Sequence, residues 1–340
     1  MPAPHVPPPG LPDLLGRDPA PWRALEGANL FLTGGTGFLG CNLLEALFYL
    51  KDTLGLNLSL TVLTRDPAAF AKKAPRLATH PALTLWPGDV TDFSPPPGSF
   101  THLIHGAAPA ASAHSRQGDE DTLARSRAAT ARVLDFARRA GAARLLYLSS
   151  GAVYGAEAFA DGKPAAETAS LRPTTAYGQA KAEAEDTLRA EAARAGPGLA
   201  IARAFTFLGP WQDLDAGFAV TDFIRAARAG QPIVLHGPPA TVRSYLYAPE
   251  AAAHLLRLLT LSTPETTCNV GSPQPVTMRE LAEAVRTVFA PGVAIKERPG
   301  LQPANAYLPE CTRAESLGLR ATVPLPEALR LTRAFLDRLA

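Results

Sequence analysis

The chain has 340 residues, of which 46% are hydrophobic and 19% are charged, and its formal net charge is +2. This composition is typical of a globular protein that is long enough to bury a substantial core. There is no long basic run to bind nucleic acid, and no apolar stretch reaches the ~18 residues of a membrane span. Its cysteines, Cys41, Cys268 and Cys311, have neither disulfide nor metal-ligand spacing. We therefore expect a cytoplasmic protein with no metal, nucleic-acid or membrane partner.

The predicted elements alternate between strands and helices. Residues 1–27 begin with a proline-rich segment and are expected to form an extended tail. Strands are predicted at 29–32, 58–64, 83–86, 102–105, 144–150 and 199–203, and helices at 41–48, 119–140 and 177–195. This alternation predicts an α/β fold with a Rossmann-type, doubly wound parallel sheet. We expect a dinucleotide-binding domain over 28–203 plus about 244–267, and a smaller substrate-binding lobe over 204–243 and 268–340.

A glycine-rich turn joins the first predicted strand to the first helix. A turn of this kind between a strand and a helix indicates dinucleotide binding, because the helix N terminus offers free N–H groups and a positive dipole end to a pyrophosphate. Gly34 allows the tight turn, Gly37 lets the backbone approach the phosphates, and Gly40 lets the helix pack close to the strand. The cofactor-binding residues predicted in this turn are Gly34, Thr36, Gly37, Phe38, Leu39 and Gly40.

Three residues suit proton transfer coupled to hydride transfer. Tyr177 and Lys181 are four positions apart and share one face of a predicted helix. A tyrosine keeps its proton up to pH ~10, and an adjacent ammonium group lowers that pKa. Tyr177 could then exchange a proton with a sugar or alcohol hydroxyl while a hydride moves to or from nicotinamide. Ser150 ends a predicted strand, where its hydroxyl can orient the reacting oxygen.

These motifs together resemble the extended short-chain dehydrogenase/reductase family, specifically its NAD-dependent epimerase/dehydratase branch, which acts on nucleotide sugars. The resemblance covers about 29–289 of the chain, and its motifs occur in the family's order. It implies that Ser150, Tyr177 and Lys181 are the catalytic residues. Besides the turn and the catalytic residues, the resemblance rests on 88–92, 105–108, 203–210, 243–247 and 268–271.

The resemblance also implies a set of binding residues. Asp89 and Val90 would face the adenine, and Ala107 and Ala108 would lie beside the cofactor. Tyr177, Lys181 and Phe205 complete the cofactor set, although Phe205 could instead line the sugar pocket or belong to the core. The expected substrate-binding residues are Ser150, Thr206, His236 and Arg243. The implied partner is a nucleotide-diphosphate sugar, whose diphosphate Arg243 would clamp, and the implied assembly is a homodimer formed through the helices at 119–140 and 177–195.

The choice of cofactor stays open between NADP and NAD. Arg65 follows the second predicted strand, where it could pair with a 2′-phosphate. Its guanidinium could also stack flat on the adenine, and the neighbouring Asp66 weakens the indication of NADP.

The residues after Ser150 indicate which reaction of the family the chain catalyses. Dehydratases of this family have Asp-Glu there, and decarboxylases have a Glu nearby, whereas this chain has Gly151 and Ala152. The resemblance therefore favours an epimerase or a 4-ketoreductase. A nucleotide-sugar dehydratase or UDP-glucuronate decarboxylase is the alternative, and a non-catalytic dinucleotide-binding protein is disfavoured because all three catalytic residues are present.

Overall fold

The computed structural model describes residues 6–107, 118–194, 196–298 and 304–339. The six predicted strands and three predicted helices are present, the helices Pro67–Lys73 and Pro75–Ala78 were not predicted, and no helix separates the third strand from the fourth. In chain order the strands are β1 Asn29–Thr33, β2 Ser59–Thr64, β3 Leu83–Pro87, β4 His102–His105, β5 Arg144–Ser150, β6 Gly198–Ala204, β7 Phe207–Leu208, β8 Ile233–Leu235, β9 Val242–Arg243, β10 Leu246–Tyr247, β11 Glu265–Val270, β12 Val276–Thr277, β13 Ile295–Glu297 and β14 Ala306–Tyr307.

The helices lie between these strands and at the two ends of the described chain. Short 3-10 helices cover Ala20–Leu25, Gly151–Tyr154 and Ala156–Phe159. The α-helices are α1 Leu11–Gly16, α2 Phe38–Leu54, α3 Pro67–Lys73, α4 Pro75–Ala78, α5 Asp119–Ala140, α6 Ala176–Ala192, α7 Ala219–Arg228, α8 Ala248–Leu259, α9 Met278–Phe289, α10 Thr312–Ser316 and α11 Leu325–Leu339.

A seven-stranded sheet forms the centre of the fold, with strand order β11-β6-β5-β4-β1-β2-β3. Every neighbouring pair in it is parallel. The strand order reverses between β1 and β4, and ligands of such sheets bind outside the carboxyl ends of the strands at that point. The predicted doubly wound parallel sheet is therefore confirmed. The strand β11, which was not predicted, crosses the domain boundary proposed at 267/268.

The sheet is buried on both faces, which is why its strands read as continuous apolar runs. In β1, Leu30 and Leu32 face one hydrophobic cluster, which includes residues of α2 and α8. Phe31, between them, faces a second cluster with residues of α5 and α6. This alternation fixes the register of the strand, because a slip of one residue would exchange the two faces.

The N-terminal segment is folded, at least from residue 6, and so differs from the expected extended tail. Leu11 and Leu15 of α1 are fully buried, and each stabilises the fold by about 2 kcal/mol. The Trp22 indole N–H donates to the Leu15 carbonyl at 3.0 Å. Prolines dominate the first ten residues, but the leucines that follow them pack against an apolar surface formed by α8 and α2.

A separate hydrophobic cluster holds the smaller part of the molecule together. It is formed by residues of α7, α9 and α11 with strands β8 and β10. The two-residue strand β9 pairs with β12 on one side and with β14 on the other. β14 therefore belongs to a three-stranded sheet apart from the central one, and its Tyr307 lies beside Gly151, directly after β5.

Candidate active site

The glycine-rich turn between β1 and α2 has the steric features predicted for two of its glycines. Gly34 has a φ of +77°, and a Cβ there would come within 2.6–2.8 Å of the backbone of Gly106 and Ala107. A Cβ at Gly40 would lie 2.2 Å from the carbonyl oxygen of Gly34. Side chains at these positions would therefore push α2 and the loop after β4 away from the turn.

Gly37 is the N-cap of the 17-residue helix α2, and no side chain caps this end of the helix. A Cβ at Gly37 would contact only the Gly34 oxygen, at 3.4 Å, so the surrounding protein does not require a glycine here. The carbonyl of Thr36 accepts a hydrogen bond from Lys73 Nζ at 2.8 Å, which places a cation beside the turn. An uncapped N terminus with a nearby cation suits a pyrophosphate. Phe38 and Leu39 are half-buried and pack against the core.

The loop after β4 is tied to the turn through Thr33. The Thr33 hydroxyl lies 2.9 Å from His105 Nδ1. The same hydroxyl accepts hydrogen bonds from the backbone N–H groups of Gly106 and Ala107 at 3.2 and 3.1 Å. Burial lowers the pKa of His105 to about 3, helped by the charge of Lys181, so the imidazole is neutral. Ala107 therefore lies beside Gly34, whereas Ala108 lies outside the described residues.

The residues expected near the adenine lie at the ends of β2 and β3. Arg65 is exposed, and the carboxylate of the neighbouring Asp66 caps α3 by accepting from Ala69 N at 2.8 Å. Asp89 pairs with Arg125 of α5 at 3.1 Å. Burial raises the pKa of Asp89, but the hydrogen bonds from Thr91 and the Arg125 charge outweigh it, so the pKa lies below its usual value. Val90 is half-buried against the core cluster that includes α5.

The three predicted catalytic residues lie together at the carboxyl end of β5. The Thr175 hydroxyl caps α6 by accepting from Gly178 N at 3.1 Å, which fixes Tyr177 in the first helical turn. A Cβ at Gly178 would lie 2.6 Å from the Ala152 carbonyl oxygen, so this helix end packs directly on the segment after Ser150. Ser150 and Tyr177 are thereby brought close enough for the Ser150 hydroxyl to act on the pKa of the Tyr177 phenol.

Lys181 lies one helical turn further along the same face of α6. Its ammonium donates to the Leu148 carbonyl at 2.6 Å and lies 4.8 Å from the ring centroid of Tyr147 and 5.8 Å from that of Tyr177. Burial lowers the pKa of Lys181 to about 8, against the opposing charge of Glu185. The pKa of Tyr177 was expected to be lowered by Lys181. In the structure it is raised, because the burial of the phenol has a larger effect than the nearby Ser150 hydroxyl, which lowers it.

A buried ion pair behind the predicted catalytic residues was not expected from the sequence. Glu185 and Arg203 are both almost completely buried and are joined at 2.7 Å. Glu185 also accepts from the Ser149 hydroxyl, and Arg203 donates to the Tyr154 hydroxyl at 3.0 Å. Glu185 follows Lys181 by one helical turn, so the spacing Tyr177, Lys181, Glu185 could have indicated it. This pair holds α6 against β5 and β6.

The position after Ser150 is closed by aromatic side chains. A Cβ at Gly151 would lie 2.6 Å from the hydroxyl of Tyr307 and 2.7 Å from the ring of Phe205. The rings of Phe205 and Tyr307 pack with their centroids 4.7 Å apart. Phe205 therefore lies on the Gly151 side of the site and in an aromatic cluster with Tyr154 and Phe159. Sequence reasoning missed Tyr307, because it lies in a two-residue strand that carries no motif.

The other three residues expected to bind the substrate differ in how near they lie to Ser150, Tyr177 and Lys181. Arg243 is half-buried, donates to Asn305 Oδ1 at 2.8 Å, and lies 6.0 Å from the ring centroid of Tyr307. Thr206 lies next to Phe205 and uses its carbonyl to bind Leu246 N. His236 is exposed and lines a cavity of about 390 Å³ with residues of α7, such as Phe223. None of the three predicted catalytic residues lines that cavity.

Two kinds of feature are absent from the part of the chain that the structure describes. It contains no group of three or more His, Cys, Asp or Glu side chains arranged to hold a metal ion. Its helices are all too short or too polar to cross a membrane.

Fold and site define the class of protein. A parallel sheet with a glycine-rich turn at its switch point, and a Ser, Tyr and Lys at the end of a neighbouring strand, is a dinucleotide-dependent enzyme architecture. A family model, the NAD dependent epimerase/dehydratase family, matches residues 30–271. The chain belongs to this family, and the resemblance stated from its motifs is confirmed.

Individual relatives are similar to the chain over most of its length. The chain is 29% identical to UDP-glucuronic acid decarboxylase 5 of Arabidopsis thaliana over 310 residues, which are 89% of this chain and 87% of the relative. A structure of the UDP-glucose 4-epimerase of Thermus thermophilus with NAD is 25% identical, with a TM-score of 0.75 and coverage of 92% of this chain and 100% of that one. A UDP-N-acetylglucosamine 4-epimerase from Methanobrevibacter ruminantium M1 has the same fold, with a TM-score of 0.80 at 21% identity over 92% of this chain and 99% of that one.

Proposed function

We propose that the chain is an NAD(P)-dependent nucleotide-sugar epimerase or 4-ketoreductase that transfers hydride at a sugar carbon, C4. The observation that carries this proposal is the cluster of Ser150, Tyr177 and Lys181 beside a position 151 that aromatic side chains close. The cluster can exchange a proton with a sugar hydroxyl. The closed position leaves no room at 151 for the acid that dehydration would need.

The residues present fit a dinucleotide, which would supply the hydride acceptor or donor when bound. We assign its pyrophosphate to the α2 N terminus, where Gly34 and Gly40 hold the turn and Gly37 leaves the N–H groups uncapped. The adenine would lie against the backbone around Asp89 and Val90, because the Asp89 carboxylate is already paired with Arg125.

Tyr177 is then the general acid and base. It takes the proton from the sugar hydroxyl during oxidation, or gives a proton to the carbonyl oxygen during reduction. Ser150 orients that oxygen, and Lys181, held by the Leu148 carbonyl, supplies a cation within 6 Å of the Tyr177 ring. We assign the diphosphate of the substrate to Arg243, with Thr206 beside the sugar and His236 on the side of the nucleotide base.

A UDP-glucuronate decarboxylase is the second candidate, and the similarity to the plant decarboxylase favours it. Oxidation at C4 would need the same three residues. The β-keto acid that results can lose carbon dioxide without an acid at position 151, because its carbonyl group accepts the electron pair.

The first experiment identifies the nucleotide that is released when freshly purified protein is denatured, by mass spectrometry. Tightly held NAD at near one per chain would support an epimerase, which recycles its own hydride. Protein that is purified empty and binds NADPH better than NADH would support a ketoreductase. Incubation with UDP-glucuronate separates the second candidate, since a decarboxylase releases carbon dioxide and an epimerase returns a UDP-uronate of unchanged mass. No turnover of any UDP-, dTDP-, CDP- or GDP-sugar, with either cofactor, would contradict the proposal.

We also propose a cytoplasmic homodimer that associates through α5 and α6. The support for the location is that all three cysteines are free, buried thiols. The support for the assembly is the alanine-rich composition of both helices, which allows close packing. A monomer mass from light scattering would contradict the assembly.

A further inference from the structure

The segment from Ser149 to Tyr154, which contains Ser150, is tied at both ends to the ion pair of Glu185 and Arg203. At its start, the Ser149 hydroxyl donates to Glu185 Oε1. At its end, the Tyr154 hydroxyl accepts from Arg203 Nη1 at 3.0 Å. All four of these side chains belong to residues that are at most 3% exposed, so bulk water does not compete for their hydrogen bonds.

The direction of each of these hydrogen bonds follows from the chemistry of the groups. A carboxylate only accepts and a guanidinium only donates. The Ser149 hydroxyl must therefore give its proton to Glu185. The Tyr154 hydroxyl receives a proton from Arg203 and gives its own to Asn269 Oδ1, at 2.7 Å. The Asn269 amide is itself oriented by two backbone carbonyls that accept from its Nδ2 at 2.8 and 3.1 Å, so each link has one arrangement.

Glu185 belongs to α6, the helix that also carries two of the predicted catalytic residues. It follows one of them, Lys181, by a single helical turn. Two consecutive residues of β5 bind these two turns, since the Leu148 carbonyl accepts from Lys181 at 2.6 Å and the Ser149 hydroxyl donates to Glu185. The ion pair consequently joins the end of β5, with its predicted catalytic serine, to α6.

We propose that Glu185 and Arg203 are positioning residues of the active site, which hold Ser150 in a fixed place relative to Tyr177. Each of the two acts through a hydroxyl at one end of the segment that contains Ser150. The placement matters because a shift of about 1 Å between groups that act on the same atom can lower a rate about 100-fold. This inference rests on the proposed function in one respect, namely that Ser150 and Tyr177 act together on the sugar oxygen.

The test needs variants that release the segment without breaking the ion pair. Glu185→Gln is the most direct change, but it leaves the Arg203 guanidinium buried without its anion, which is strongly destabilising. Ser149→Ala and Tyr154→Phe each remove a single hydroxyl and leave both partners of the ion pair in place. They release opposite ends of the segment, and neither variant adds an atom that the fold must accommodate.

The first measurement is hydrogen exchange of the Ala152 amide, followed by NMR, and it needs no substrate. The Ala152 N–H donates to Ser150 Oγ at 3.1 Å, so its exchange reports whether Ser150 keeps its conformation. We expect this amide to exchange about tenfold faster in Ser149→Ala and in Tyr154→Phe than in the wild type, because one restraint on the segment is lost. Unchanged exchange in both variants would overturn the inference.

Ser126→Ala is the matched control. Its hydroxyl donates to the Ala180 carbonyl at 3.4 Å, so it also ties a neighbouring element to α6, but from α5 and without contact to the ion pair. We expect the Ala152 amide to exchange in this variant as in the wild type. An equal acceleration in Ser126→Ala and Ser149→Ala would show a general loosening of α6 and would also overturn the inference.

The second measurement separates kcat from KM with a nucleotide sugar that the wild type turns over. In Ser149→Ala we expect kcat to fall about tenfold with KM within twofold of the wild-type value, because only the placement of Ser150 changes. In a Ser150→Ala protein the same change should lower kcat no further, since the residue through which it acts is already gone. A further tenfold loss in that protein would show that Ser149 and Glu185 do not act through Ser150.

The failure of this inference and the failure of the proposed function can be told apart. If the wild type turns over no nucleotide sugar, the proposed function fails, and hydrogen exchange of Ala152 still decides whether the ion pair holds Ser150. If exchange is unchanged in both Ser149→Ala and Tyr154→Phe, the inference fails whatever the activity.

Discussion

The turn between β1 and α2 is one continuous stretch, 33–40, whereas the wall around Ser150 combines residues of β5, α6 and β14 with Phe205, which follows β6. In the first region the closest contacts at Gly34 and Gly40 are with backbone atoms, and the sequence shows this region as glycines at fixed spacing. In the second region the contacts are made by side chains that are distant in the sequence, such as Tyr307 and Phe205. A site for a common cofactor can thus be recognised locally, while the features that select the substrate and the reaction come from the tertiary fold.

The largest effect is expected from a substitution at Gly34, where the turn has no space for a side chain. In Gly34→Ala the new Cβ would overlap the backbone of Gly106 and force a residue other than glycine to keep a φ of +77°. We expect a loss of about 3–5 kcal/mol in the free energy of unfolding, together with the loss of dinucleotide binding. Urea unfolding and calorimetric titration would measure the two effects.

Gly55→Ala is the control for this change. Gly55 also has a positive φ, of +66°, but a Cβ there meets nothing within 4 Å. Only the cost of the backbone conformation should remain, at about 1 kcal/mol, with dinucleotide binding unchanged. Equal losses in the two variants would show that the close approach of the loop after β4 does not matter.

Arg243 should affect the binding of the nucleotide sugar, and its loss should therefore raise the KM. Arg243→Ala removes a half-buried guanidinium that Asn305 orients, and we expect the KM for the nucleotide sugar to rise about 30-fold. Steady-state kinetics would measure it, with Arg330→Ala on α11 as the control, because Arg330 is exposed and pairs only with Glu327 among the described residues. A KM within twofold of the wild-type value would remove Arg243 from the substrate site.

His105, where β4 ends, should make the free energy of unfolding depend on pH in the acid range. His105 is neutral in the folded state, with a pKa of about 3, against about 6.5 in an unfolded chain. Below pH 6.5 His105 binds a proton in the unfolded chain but not in the folded state. The free energy of unfolding therefore falls as the pH drops towards 3. Between pH 6.5 and 5 we expect His105 to account for about 2 kcal/mol of that fall. Urea unfolding of His105→Asn should show a shallower decline, and an identical decline would contradict the assignment.

The smallest effect is expected at Arg65, on the exposed side of the cofactor region. If Arg65 pairs with a 2′-phosphate, Arg65→Ala should weaken NADPH binding about tenfold and leave NADH binding nearly unchanged. Fluorescence titration with both nucleotides measures this, and Arg76→Ala, an exposed arginine of α4, is the control. Equal weakening for both nucleotides would indicate that the guanidinium stacks on the adenine instead.

Much of the fold could be predicted because local pattern and tertiary structure agree in the first 204 residues. The strands from β1 to β6 were placed within about a residue of their observed ends, since each is an apolar run bounded by turn residues. The strand β11 was missed because Thr266 and Thr267 interrupt its apolar pattern, although it is buried beside β6. The helix α1 was missed because the neighbouring prolines dominate the composition there.

Within the candidate site, the sequence placed the three predicted catalytic residues on the right elements, but it did not reveal their surroundings. Tyr177 and Lys181 have a spacing that a helix alone explains, and Ser150 ends a strand that the pattern reveals. The partners of these residues depend on where other elements pack. Tyr307 lies beside Gly151 through the packing of β14, which pairs with β9, and the burial that raises the pKa of Tyr177 is likewise a property of the complete fold.

The most direct test of the account is the rate of hydride transfer in Tyr177→Phe. With a nucleotide sugar that the wild-type protein turns over, single-turnover reduction of the cofactor is followed by its absorbance, and cofactor affinity is measured separately. We expect a loss of about 10³-fold in the rate with cofactor affinity nearly unchanged, because only the proton-transferring hydroxyl is removed. A rate close to that of the wild type would contradict the assignment of Tyr177 as the acid and base, and with it the proposed function of the site.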